Sequence, residues 1–188
     1  QLKQNQWFLW PYAGFLAVGA LFLAMLEKGE AFLFVNTHHS PFWDQFFRFG
    51  TYLGDGTFVA VMMFLVLLFY SIRLGLIGGI SLVSISATVQ PLKRLVFTDF
   101  VRPKKYFPEM DLHFVEQVNV HGNHAMPSGH TAAGFAFFMS LSLIFARENK
   151  ALSLLFFVLA LSVRFSRIYL AQDFLEDVYV GSVIAVIM

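Results

Sequence analysis

Long apolar runs broken by short polar segments set the pattern of this chain. A bilayer core of ~30 Å takes about 20 apolar residues in helical form, and Trp7–Leu26 is an uncharged run of that length. Trp7, Trp10 and Tyr12 fit an interfacial aromatic belt at one end of it. Further apolar runs at Thr57–Ile72, Leu74–Leu92, Pro127–Ala146 and Ala151–Ser166 predict four more spans, with a tight turn around Arg73 between the first two. A sixth starts near Phe174. Its uncharged part, Val178–Met188, makes only ~16 Å of helix, so the native chain is expected to continue past Met188.

Between the first two spans, SPFWDQFFRFG offers Ser40 as N-cap, Pro41 at the first helical position and a Phe/Trp face. It predicts a short helix near 41–53 lying on the membrane surface and closed by Gly54, Asp55 and Gly56. Gly75 and Gly79 form a small-xxx-small pair that suits close helix approach. The polar stretch Phe97–Met126 is the one long extramembrane loop. With no repeat and no soluble segment, the pattern predicts an all-α integral membrane bundle of six transmembrane helices, a single domain over 1–188.

Composition agrees: 57% of the 188 residues are hydrophobic, 13% are charged and 24 are phenylalanine, too apolar for a soluble domain of this size. The absence of cysteine excludes disulfides and thiolate-bound metals. A net charge of +1 gives no nucleic-acid footprint. The basic residues are unevenly placed: Lys3, Arg73, Arg147 and Lys150 fall on one predicted membrane face, and the other nine fall on the opposite face. The positive-inside rule would put the nine in the cytoplasm. Seven of them cluster around two loops that also hold candidate chemistry, so charge bias and function compete there.

Three segments on that face suit an anion. In QPLKRLVFTDFVRPKK, Lys93, Arg94, Arg102, Lys104 and Lys105 crowd together, either as a collar for anionic headgroups or as phosphate ligands. MPSGHTAAG opens the fourth span, with Pro127 in the first turn, the amides of Ser128, Gly129 and His130 free for an anion, and His130 able to carry a proton. An ordinary helix start with a surface histidine is the plainer alternative. In SRIYLAQDFLEDVYVG, Arg167 ends the fifth span, and Asp173 and Asp177 share one face if both are helical. Its plainer alternative is a solvated loop with Glu176 and Asp177 capping a helix.

Together these segments resemble the type-2 phosphatidic acid phosphatase, or lipid phosphate phosphatase, superfamily. Its signature has three parts: Lys-x6-Arg-Pro, Pro-Ser-Gly-His and Ser-Arg-x5-His-x3-Asp. The second is intact as Pro127-Ser128-Gly129-His130. The third is present as Ser166-Arg167, Asp173 and Asp177, with aspartate where the family has histidine. The first keeps Arg102-Pro103, but Leu95 holds the lysine position, leaving Lys93 or Arg94 for the cation role.

The resemblance implies metal-independent, two-step phosphoryl transfer through a phosphohistidine, with no cofactor. It assigns position 173 to the nucleophile, Asp177 to its orientation and His130 to protonation of the leaving oxygen. Lys93, Arg102, Ser128, Gly129 and Arg167 would hold the phosphate. A carboxylate at 173 is repelled by a phosphate ester, and enzymes that form acyl phosphates generally bring a divalent metal. His113, His121 and His124, near Asp111 and Glu116, lack tight ligand spacing, so no metal site is expected. Asp173 is therefore read as an inactivating His-to-Asp change, engineered in preference to natural, with a pseudoenzyme or unusual aspartate chemistry as alternatives.

The expected substrate is a membrane lipid phosphate: phosphatidic acid, phosphatidylglycerol phosphate, undecaprenyl diphosphate or the phosphates of lipid A. The resemblance places the protein in a bacterial inner membrane with the site facing the periplasm or outside, and no protein partner is inferred. A phosphotransferase using the same residues and a catalytically silent phospholipid binder remain alternatives. A channel fits poorly, because the polar residues gather at one membrane face and not along a pathway.

Overall fold

The computed structural model describes residues 5–146 and 149–188, and all regular structure among them is helical. Lys3 and Arg147, two of the basic residues assigned to a membrane face, lie outside the described residues. The helices are α1 (Gln6–Met25), α2 (Glu30–Thr37), α3 (Pro41–Gly50), α4 (Gly56–Phe69), α5 (Ile72–Pro91), α6 (Pro103–Tyr106), α7 (Gly129–Phe145), α8 (Lys150–Tyr169) and α9 (Leu175–Ile187). A 3-10 turn, Thr51–Gly54, joins α3 to α4, and a π turn, Leu92–Val96, extends α5.

Polar caps set most starts. Ser40 accepts from the Trp43 amide with Pro41 just inside, as the sequence predicts. Asp55 accepts from the Thr57 and Phe58 amides, Ser71 from Leu74 and Asn149 from Leu152. The turn expected at Arg73 thus sits at Tyr70–Ser71, with Arg73 inside α5. Ser128 caps α7 through the Thr131 amide, which leaves Pro127 outside the helix instead of in its first turn.

Among the described residues, three helices are long and apolar enough to cross a membrane: Gln6–Met25, Ile72–Val96 and Lys150–Tyr169. Pro41–Gly54 with Gly56–Phe69, bent by 56°, gives a fourth if the pair counts as one span. α7, at 17 residues, and α9, at 13, are apolar but shorter. On α1, α4, α5 and α8 large apolar side chains such as Leu21, Phe64, Val83 and Val158 point outward. That suits lipid contact and leaves these helices nearly uniformly apolar.

The core forms around α7, whose Ala132, Phe135, Phe137 and Phe138 pack with Phe8, Val59, Ile85, Phe157 and Val163. Close approach of α4 and α5 is made by Gly75 against the Leu67 backbone and by Gly78 against Met63. Gly79 faces open space, so the contact pair is Gly75/Gly78 and not the Gly75/Gly79 pair of the sequence pattern. A second apolar cluster, with Phe32 of α2, Ile168, Phe174 and Val178, backs the loop between α8 and α9. α2 is not legible as a span in the sequence because its eight residues are too few. Its entry needs a left-handed residue, supplied by Gly29 at φ 93°.

Candidate active site

The end of α8, the start of α7, the π turn after α5 and the long loop meet at one end of the bundle. They enclose a cavity of about 220 Å³ lined by Lys93, Arg102, Gly129, His130, Arg167 and Asp173, with Gly54, Gln90 and Val89 among its walls. Six of the eight residues singled out from sequence thus line one cavity, and Ser128 bonds directly to Asp173.

Asp173 is the centre of the cluster and is 1% exposed. Its Oδ2 accepts from Arg167 Nε at 3.0 Å and from the Ser128 hydroxyl at 2.8 Å. Its Oδ1 lies 3.7 Å from Arg102 Nη1. Burial pushes this carboxyl upward, but the cations of Arg167, Arg102 and Lys93 and the Ser128 hydroxyl outweigh it and hold the pKa at about 2. The carboxylate is therefore an internal anion seated among Arg167, Arg102 and Lys93.

The two arginines are fixed by further bonds. Arg167 donates to Thr51 Oγ1 at 3.2 Å and to Gln172 Oε1 at 3.4 Å. Arg102 donates to the same Gln172 oxygen at 2.6 Å and to the Asn123 carbonyl at 3.1 Å. Gln172 is anchored in turn through its amide to the Asn119 carbonyl, 2.9 Å away. Thr51 and Gln172 are not among the residues singled out from sequence. Gln172 adjoins Asp173 in the third motif segment, which is the only signal the sequence carries for it.

Lys93 rather than Arg94 reaches the cavity, and its Nζ donates to the His124 carbonyl at 3.1 Å. Arg94 lines a neighbouring hollow with His121 and His124. Leu95, at the position where the family signature has lysine, is 79% exposed. The departure from the usual spacing falls within the π turn, whose wider winding changes which side chains face the cavity.

At the start of α7 the Ser128 amide, expected to be free, donates to the Asp177 carbonyl at 2.9 Å. The Gly129 and His130 amides have no partner among the described residues, so two of the three expected donors remain available. Ser128 and Asp177 come this close because Gly181 of α9 passes under the Ser128 backbone; a Cβ there would lie 2.5 Å from the Ser128 oxygen. His130 Nε2 lies 3.7 Å from Asp55 Oδ2. Asp55, read from sequence only as part of a helix stop, therefore caps α4 with one oxygen and faces His130 with the other.

Asp173 and Asp177 do not share a helical face. Phe174 is the N-cap of α9, which leaves Asp173 outside the helix, and Asp177 Oδ2 accepts from the Phe174 amide at 2.7 Å. Asp177 braces the backbone next to position 173 instead of stacking beside it. Its other oxygen is buried without a partner among the described residues.

Two solved structures share this fold. Aquifex aeolicus LpxE matches with TM-score 0.71 and 24% identity over 85% of this chain and 90% of that one. The first transmembrane PAP2 type phosphatidylglycerolphosphate phosphatase from Bacillus subtilis matches with TM-score 0.65 and 20% identity over 100% of this chain and 94% of that one. A sequence comparison with curated proteins finds no match. The PAP2 superfamily model matches residues 64–188, a stretch that holds all three motif segments and the whole cationic cluster, and the chain belongs to the PAP2 superfamily.

Proposed function

We propose that this chain is a membrane-embedded lipid phosphate phosphatase whose chemistry is silenced by Asp173. The observation that carries the proposal is the convergence of Lys93, Arg102, Arg167 and two unpartnered amides on one cavity, with His130 on its wall. Charge on the three outer oxygens of a transferring phosphoryl group calls for such a set of fixed donors. The proposed architecture is a single domain of six crossings, with α7 and α9 completing the bundle. The proposed setting is a bacterial inner membrane with the cavity facing the periplasm or outside.

With histidine at position 173, an imidazole nitrogen attacks phosphorus and the bond from phosphorus to the lipid oxygen breaks. His130 gives that oxygen a proton. Water then attacks the phosphohistidine and gives a proton to the now neutral His130, which releases phosphate and restores both the imidazole at 173 and the protonated His130, with Asp177 holding the backbone of the nucleophile segment. A carboxylate at 173 instead repels the phosphate and occupies Arg167, Arg102 and Ser128 itself. The cavity keeps Lys93, Arg102 and Arg167 but has no histidine at 173, and this supports a second reading, a phospholipid-binding protein without turnover.

Candidate substrates are phosphatidylglycerol phosphate, the lipid for which the Bacillus subtilis phosphatase is named, phosphatidic acid, undecaprenyl diphosphate and the phosphates of lipid A. The test is phosphate release by the Asp173→His protein from these lipids without added metal, beside Asp173→His with His130→Ala. Release from at least one lipid, lost on removing His130, is expected. An Asp173→His protein that is folded and releases phosphate from none of them sinks the phosphatase reading and leaves the binding one.

A further inference from the structure

Away from this cavity, His39, Asp44 and His113 bring one ligand atom each to within 4.8 Å of one another. None of the three lines the phosphate cavity. We propose that they bind a divalent transition-metal ion of the zinc type, which pins the long loop that carries His113 to α3. The donor set, two imidazoles and a carboxylate, is one that zinc takes with a water in the fourth position.

The geometry supports a preformed site. His113 Nε2 lies 3.1 Å from both Asp44 oxygens, close to the edge of about 3.3 Å in a tetrahedron of 2.0–2.1 Å metal bonds. A proton now bridges ligand atoms that a metal would bridge. The His39 ring stacks on His113 with centroids 3.7 Å apart and planes at 5°. Coordination turns the His39 ring out of that stack, a movement open to it because the residue is exposed.

The ligands are also held from behind. Tyr169 donates its hydroxyl to Asp44 Oδ1 at 2.6 Å, orienting the carboxylate. Asn36 grips the His113 backbone twice, accepting from its amide at 3.0 Å and donating to its carbonyl at 2.8 Å. Because Tyr169 ends α8 two residues after Arg167, an ion here ties α2, α3 and the loop to the helix that carries the phosphate cluster. The spacing of the loop histidines hides the site in the sequence: His113 finds its partner Asp44 69 residues upstream and not in its own loop.

The test uses the full chain, free of purification tags, stripped of metal by a chelator and held in a neutral detergent. Titration with cobalt(II) chloride alone is expected to saturate at one equivalent with the visible bands of a tetrahedral site, and zinc chloride to displace the cobalt. His39→Ala and His113→Ala should each weaken binding at least ~100-fold, and Tyr169→Phe by ~10–100-fold. His113→Cys keeps a ligand atom, and in a sequence without cysteine a thiolate-to-cobalt charge-transfer band reports that position alone. If the alanine variants fail to fold, that band decides. Its absence in folded His113→Cys protein, no saturable binding by the unsubstituted chain, or binding unchanged by His39→Ala with His113→Ala overturns the proposal.

Discussion

Arg167 and Asp173 are joined by a buried bond of 3.0 Å between Nε and Oδ2, and through it the protein supplies an internal anion to the cationic cluster of Arg167, Arg102 and Lys93. The pair also makes stability depend on acid. The Asp173 carboxyl is held at about 2, below the ordinary 3.8, so its contribution is present above pH ~4 and is lost as pH falls through about 2. The contribution is at most about 2 kcal/mol. Thermal unfolding in detergent should show the unsubstituted protein above Asp173→Asn at pH 6, with the gap closing between pH 4 and pH 2. A gap that stays constant across that window contradicts the ion pair.

The proposed phosphatase reading makes Arg167 a phosphate ligand once Asp173→His removes the carboxylate it now binds. Arg167→Ala in that background is expected to lower kcat/KM by about 10²–10³. Arg167→Lys should recover little of it, since a lysine cannot present the fork that now reaches Thr51, Gln172 and position 173 together. Steady-state phosphate release measures both.

Asp55 offers a separation of structure from chemistry. Asn is as good an N-cap as Asp, so Asp55→Asn should keep α4 while removing the charge that faces His130 at 3.7 Å. The expected result in the Asp173→His background is a fall in kcat of roughly 10-fold with KM little changed and the unfolding temperature held. A loss of stability with unchanged kcat would assign Asp55 to capping alone.

Gly181 sets the distance between α9 and the start of α7. Gly181→Ala places a Cβ 2.5 Å from the Ser128 oxygen, against backbone that cannot yield like a flexible side chain. A cost of about 1–3 kcal/mol is expected from overpacking, read as a lower unfolding temperature. Gly79→Ala, which meets open space inside α5, should not lower stability and serves as the control within the same experiment.

The sequence by itself determined the membrane class, the caps at Ser40 and Pro41, and the motif residues, because each is local. Apolar length sets a span, a hydroxyl before a helix sets its start, and Pro127-Ser128-Gly129-His130 is contiguous. It did not determine which faces of the helices turn inward. The spans are apolar all round, so their pattern has length without phase, and rotation about each axis is decided by packing. Tertiary structure therefore chose Gly78 over Gly79, Lys93 over Arg94, Asp55 as the neighbour of His130, and Thr51 and Gln172 as supports for the arginines. It also moved Asp173 off the helix shared with Asp177, because Phe174 takes the N-cap and Asp177 satisfies its amide.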